Sequence, residues 1–160
     1  MSLSDPSIYE EILIESNDGS TTVDLRLGVQ SIDYYEDIFS PTITAKIVIT
    51  NTGNTVNGKG IYQGLPLRGG ERVSMRIKDK LDFSEKNKYF YVSSISNVIS
   101  NNQSESFVLN LCSREAITNE TARVPVKFPT SSPISVSAEK IIKDYLRTPK
   151  TVEVDKTMNK

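Results

Sequence analysis

The stretch Ser40–Asn54, SPTITAKIVITNTGN, decides the fold. Ile43, Ala45, Ile47 and Ile49 fall on one side of an extended chain and Thr42, Thr44, Lys46, Val48 and Thr50 on the other, the period-two pattern of a strand with one face in a core and one in water. Pro41 stands at the first strand position, where a missing N–H is tolerated. Asn51-Thr52-Gly53-Asn54 supplies residues that accept positive φ, so both ends of the strand are marked.

The same grammar recurs outward in both directions. Residues 8–15, IYEEILIE, read as a first strand with Ile8, Ile12 and Ile14 in phase and Glu10 breaking the pattern. Asn17-Asp18-Gly19-Ser20 is a hairpin signal, because Asp-Gly fills the positive-φ positions of the favoured turns. A return strand follows in which Val23, Leu25, Leu27 and Val29 alternate with Thr22, Asp24, Arg26 and Gly28. Residues 31–39, SIDYYEDIF, mix aromatics with acids and leave a strand end and a crossing loop both open. From Glu71 to Asp79, Val73, Met75 and Ile77 point inward and Arg72, Ser74, Arg76 and Lys78 outward. Residues 89–99, YFYVSSISNVI, fit neither phase throughout, which calls for a bulge or a strand buried on both sides. Phe107, Leu109 and Leu111 form the last apolar row. The expected interior therefore includes Ile43, Ile47, Ile49, Val73, Met75, Ile77, Phe107, Leu109 and Leu111.

Thr55–Gly70, TVNGKGIYQGLPLRGG, holds five of the chain's eight glycines, a density that belongs to an irregular excursion rather than a regular element. Yet it carries Ile61, Tyr62, Leu65 and Leu67. Either the loop folds back on its own barrel or a partner orders it, and these four residues, with Arg72 and Arg76 of the adjoining basic strand face, are the candidate partner-interface residues. That basic face reads first as a solvated surface, next as a contact for an acidic protein. Nucleic acid comes third, since no aromatics for base stacking are interleaved with the charges.

Past Cys112 the pattern changes. Residues 113–119 are long enough for a helical turn, and Ala122–Pro133, ARVPVKFPTSSP, is a proline-punctuated extended linker. Ser137 stands as an N-cap, Glu139 lies in the first turn, and Ala138, Ile141, Ile142, Tyr145 and Leu146 recur at helical spacing up to the stop at Pro149. One helix and at most one strand in TVEVDKTMNK do not close a core, so the chain is expected to be the front part of a longer polypeptide, with a first domain over 1–116 and a truncated second one over 117–160.

Composition removes most chemistry. With no His and one Cys, the chain cannot form an internal disulfide, a Cys/His zinc site, or a Ser-His or Cys-His nucleophile pair. The only dense carboxylates are Asp33, Glu36 and Asp37, on the ambiguous segment. The expectation is no enzyme, no cofactor, no metal and no small-molecule substrate. There is no apolar run of membrane-spanning length and no signal-peptide pattern, which gives a protein made in the cytoplasm with no membrane partner. Charge is uneven: residues 1–40 hold nine acidic and one basic residue, net −8, and residues 41–160 hold eleven acidic and eighteen basic, net +7, which sums to the overall −1. Such a separation suits either one solvated barrel or a subunit whose opposite surfaces meet unlike neighbours.

Taken as a series, FSPTITAKIVITNTG (39–53), GIYQGLPLRGGERV (60–73), the long hairpin after it, the proline-rich crossing and SAEKIIKDYL (137–146) resemble the N-terminal part of the baseplate hub proteins of contractile-tailed, myovirus-type bacteriophages. The resemblance covers essentially the whole chain. It implies an antiparallel tail-tube-like β-barrel followed by the α-helical start of a second domain. It further implies a virion protein whose homotrimer, carrying two barrels per polypeptide, makes a pseudo-sixfold ring between the tail tube and the central spike. This sequence lacks the second barrel, which puts ring formation by these 160 residues in doubt. The competing class is a β-sandwich that binds carbohydrate or a surface, as in a phage fibre or adhesin. It would want clustered exposed aromatics, and the chain has no Trp. A hub component of a related contractile secretion system is a variant of the first class.

Overall fold

In the middle of the chain the alternation becomes sheet as expected. The computed structural model describes residues 8–40, 42–53, 56–78, 87–101 and 103–158. The readings that rest on Pro41, on Asn54, on residues 79–86 and on the side chains of Ile8 and Ile77 fall outside that part. Seven strands, β1 (Ile8–Glu15), β2 (Thr22–Asp24), β3 (Val29–Tyr35), β4 (Thr44–Asn51), β5 (Arg72–Lys78), β6 (Lys88–Ser100) and β7 (Glu105–Cys112), form one antiparallel sheet in the order β2-β1-β5-β6-β7-β4-β3. The sheet curls into a half-barrel, and the protein is mainly β.

The core is the concave face of that curl. β4 sets Ala45, Ile47 and Ile49 opposite Leu111, Leu109 and Phe107 of β7, and all six are buried. Ile12, Ile14, Val73, Met75, Phe90 and Val92 complete the same cluster from β1, β5 and β6. A side chain of this size contributes roughly 1.5–3 kcal/mol when fully removed from water. The two broken phases have bulges at the break. The β1–β5 register shifts between Tyr9 and Glu11, where Glu10 interrupts the pattern. The β6–β7 register shifts between Val92 and Ser94 and again between Ser96 and Ile99, with Asn97 in the left-handed region at φ 53°.

The expected return strand over residues 22–29 is wrong in one respect. The chain leaves the sheet after Asp24, turns, and re-enters at its opposite edge. Leu25 is buried, while Leu27, read as its inward companion, is fully exposed at 102%. The reason is hydrogen bonding across the curl: Leu25 N donates to Ile12 O of β1 at 2.8 Å, and Thr50 N of β4 donates to Gly28 O at 2.8 Å. Residues 25–28 thus tie the two edge regions of the sheet together. A Cβ at position 28 would lie 3.0 Å from Thr50 O, so the close approach calls for glycine. Residues 31–39, left open in the sequence, divide into the end of β3 and an exposed turn.

The chain separates between Ser113 and Arg114, three residues before the expected boundary, because the second unit begins with a helix. The first unit holds a short helix, α1 (Ile61–Gly64), between β4 and β5; the second contains α2 (Arg114–Thr121), an extended segment, and α3 (Ile134–Lys140), which runs into a π-helical turn over Ile141–Tyr145. Ser137 is not the N-cap. The helix starts one turn earlier at Pro133, whose φ of −58° is already helical in φ and whose carbonyl accepts from Val136 N at 3.1 Å. Residues 151–158 form no strand. Within this unit Glu115 is buried, accepting from Thr148 Oγ1 at 2.6 Å, with Lys150 Nζ at 3.4 Å.

Candidate functional site

The glycine-rich loop between β4 and β5 is the part of the barrel whose role the sequence left open. It begins with a tight turn in which Val56 and Lys59 exchange backbone hydrogen bonds, with Asn57 and Gly58 at φ 51° and 74°. A four-residue helix, α1 (Ile61–Gly64), follows. Its first N–H groups meet a carboxylate: Glu105, at the start of β7, accepts from Ile61 N, from Tyr62 N at 3.2 Å and from Asn51 Nδ2 at 2.9 Å. An acid satisfies these orphan donors and complements their partial positive charge. Gly60 is required by the same contact, since a Cβ there would sit 2.5 Å from the Glu105 carboxyl carbon.

A second carboxylate holds the other end of the loop. Glu71 accepts from Arg68 N at 2.7 Å, Gly69 N at 2.9 Å and Asn17 Nδ2 at 3.1 Å. Gly69 and Gly70, at φ 105° and 90°, let the chain fold over it. Gly70 N then donates to Val92 O at 2.7 Å and Val92 N to Glu71 O at 2.9 Å, which stitches the loop's exit to β6. Glu71 and Glu105 are 1% and 5% exposed. Each carboxylate faces three donors, the arrangement that makes a buried acid tolerable.

With both ends fixed, the loop's apolar residues turn inward. Ile61, Leu65 and Leu67 belong to the barrel core, and the Tyr62 ring packs 6.0 Å from that of Phe107. Of the two alternatives, the loop therefore takes the first and folds back on its own barrel, so these residues have little area to offer a partner. Arg72 and Arg76 project from β5 as expected but face acids of β1. Arg72 Nη2 lies 2.5 Å from Glu15 Oε2. Arg76 lies 3.2 Å from Glu10 and 3.6 Å from Glu11, the former contact too bent for a hydrogen bond. Exposed pairs of this kind contribute about 0–1 kcal/mol. Their larger consequence is that the basic face of β5 and the acidic face of β1 offset each other.

The acids of the 31–39 segment sit apart from that pairing. Tyr34 Oη donates to Glu36 at 2.7 Å, and Phe39 N to Asp37 Oδ1 at 2.9 Å. Beside them Ile38 and Phe39 are each 92% exposed. Asp18, in the β1–β2 hairpin, accepts from Ser16 Oγ, Ser20 N and Ser20 Oγ. The Ser16 hydroxyl first, then the Ser20 groups, lower its pKa to about 2. Cys112 is buried, which pushes its thiol up and away from the reactive thiolate.

An open polar cavity of about 370 Å³ lies beside the loop, lined by Asn51, Lys59, Gln63, Asn101, Gln103 and Ser104 among others. Among the described residues no group of three or more Cys, Asp and Glu is placed to hold a metal.

The residues that sequence reasoning missed are Glu71 and Glu105, to neither of which it gave a role. A signal was present. Glu71 is in phase with Val73 and Met75, and Glu105 with Phe107, Leu109 and Leu111, so parity places both on the inward rows. Compared with known proteins, the chain matches no family model and no curated protein.

Proposed function

We propose that this chain is a structural assembly subunit, a baseplate hub component of a contractile phage tail that joins the tail tube to the central spike through ring contacts. The observation that carries the reading is the open, curled antiparallel sheet. Its terminal strands β2 and β3 are joined to each other through residues 25–28 but pair with no further described strand. A subunit of this shape keeps backbone donors and acceptors available for a neighbour. The order of sequence blocks that resembles the hub proteins supplies the identity of the assembly, and self-association, tube and spike are the partners it implies. A contractile secretion system would use the same contacts.

Sedimentation equilibrium of the full chain tests the assembly reading. Concentration-dependent association to a trimer or larger species supports it, and a monomer at every accessible concentration overturns assembly through these 160 residues. The second reading, a carbohydrate- or surface-binding module, draws on the polar cavity beside the loop, whose amides and hydroxyls are suited to sugar hydroxyls. Saturable binding on a glycan array, abolished by Gln103→Ala and Asn101→Ala together, would favour it over the first.

A further inference from the structure

The barrel leaves stretches of strand edge open, and they are not equally protected. β2 is three residues long. The distal half of β6 carries two register shifts and a left-handed Asn97. Short strands and bulges are devices that discourage pairing with another chain. β3 has neither over its second half: from Ser31 to Tyr35 it pairs with β4 without a shift, and no described strand lies on its other side. Ile32 and Tyr34 face the core, and Ser31, Asp33 and Tyr35 face outward. Glu36 and Asp37 extend the acidic character of its end; Lys46 of β4 stands opposite Asp33, and Lys88 Nζ of β6 lies 3.2 Å from the Tyr34 hydroxyl that donates to Glu36.

The same chain contains a segment of matching pattern. Residues 123–128, RVPVKF, have no regular secondary structure, and their backbone makes no hydrogen bond among the described residues. Val124 and Val126 are each 43% exposed, and Arg123 and Lys127 alternate with them. Pro125 shares its phase with the two cations. If Val124 and Val126 present their N–H groups to a neighbouring strand, the missing donor of Pro125 therefore falls on the far edge, where proline is tolerated.

We infer that the outer edge of β3 accepts residues 123–128 of a second copy as an added strand. Val124 and Val126 extend the inward row of Ile32 and Tyr34. Arg123 and Lys127 stand over Asp33, Glu36 and Asp37. The contact is heterologous, edge of one copy to strap of the next, so it propagates around a ring when the rotation closes. It rests on the assembly reading above and adds to it the strand and the segment that meet.

The test uses the full chain in sedimentation equilibrium, with amide hydrogen exchange at low and high protein concentration. Asp33→Lys and Lys127→Glu should each weaken association by about tenfold, as expected for placing like charges across an interface. The two together should return to within about threefold of the wild type, because the pair is restored in reversed sense. Both positions are exposed, so circular dichroism of each variant should match the wild type. Protection of residues 31–35 and 124–127 should rise with concentration. Association that ignores both substitutions overturns the strap while leaving the assembly reading standing. Protection of β3 already complete in the dilute monomer shows a covering from the same chain and overturns the second copy. Absence of association at any concentration removes the assembly reading and this inference together.

Discussion

Replacing Glu105 by Gln isolates what the buried carboxylate does for the loop, because it keeps the shape of the side chain and removes only charge and one acceptor. In the native barrel the carboxylate receives three donors, from Ile61 N, Tyr62 N and Asn51 Nδ2. A carboxamide has one oxygen and one NH₂, so at least one of those donors must face another donor or lose its partner. An unsatisfied buried donor costs about 1–3 kcal/mol, and the lost charge assistance adds to it. Rotating the Asn51 amide to accept from the new NH₂ offers no full escape, since Asn51 Nδ2 also donates to Gly53 O at 2.9 Å. The expected loss is about 2–3 kcal/mol in reversible urea denaturation, read as a lower midpoint at unchanged slope. Hydrogen exchange should show the damage first in residues 58–64. Asn51→Ala combined with Glu105→Gln should fall short of additivity by about 0.5 kcal/mol or more, as for residues sharing one network. A loss under about 0.5 kcal/mol for Glu105→Gln, with exchange in the loop unchanged, would refute the reasoning and mean that the apolar contacts of Ile61 and Leu65 alone hold the loop.

Three further outcomes follow from the same geometry. Ile47→Ala, at a fully buried position opposite Leu109, should cost about 2–5 kcal/mol in the same assay, and a loss below about 0.5 kcal/mol would put the side chain on the wrong face. Gly60→Ala should destabilise by about 1–3 kcal/mol because the methyl group collides with the Glu105 carboxylate. Gly53→Ala, where nothing lies within 4 Å of the added carbon, should stay within about 0.5 kcal/mol of wild type; equal effects at both sites would remove the steric account. The Asp18 carboxyl should titrate at about 2 by NMR. Because this folded value lies below the unfolded one, the hairpin's contribution is fully present above about pH 4 and fades as pH falls toward 2; a midpoint near the unperturbed value would show that the Ser16 and Ser20 hydrogen bonds do not persist in solution.

Local chemistry alone fixed a good deal of this protein. Period-two rows such as Ile43 to Ile49 and Phe107 to Leu111 made strands because an alternating segment can bury one face only when extended, whatever its neighbours are. Asp18-Gly19 made a turn because the preference lies within four residues. Even the mismatched phases of residues 8–15 and 89–99 were legible as irregularities, and bulges stand there. What required the tertiary structure was every feature whose partner lies far along the chain. Val23 to Val29 alternates as well as any strand. It is broken because the segment is held at two different places in the sheet, Leu25 N donating to Ile12 O of β1 and Gly28 O accepting from Thr50 N of β4. The candidate site was hidden for the same reason. Glu71 and Glu105 carry the parity of core residues and the chemistry of surface residues. Only the fold brings the N–H groups of residues 61–62 and 68–69, with Asn51 and Asn17, to their carboxylates. A sequence pattern encodes which face a residue occupies, whereas whether a buried charge is satisfied depends on donors that folding gathers from far-apart parts of the chain.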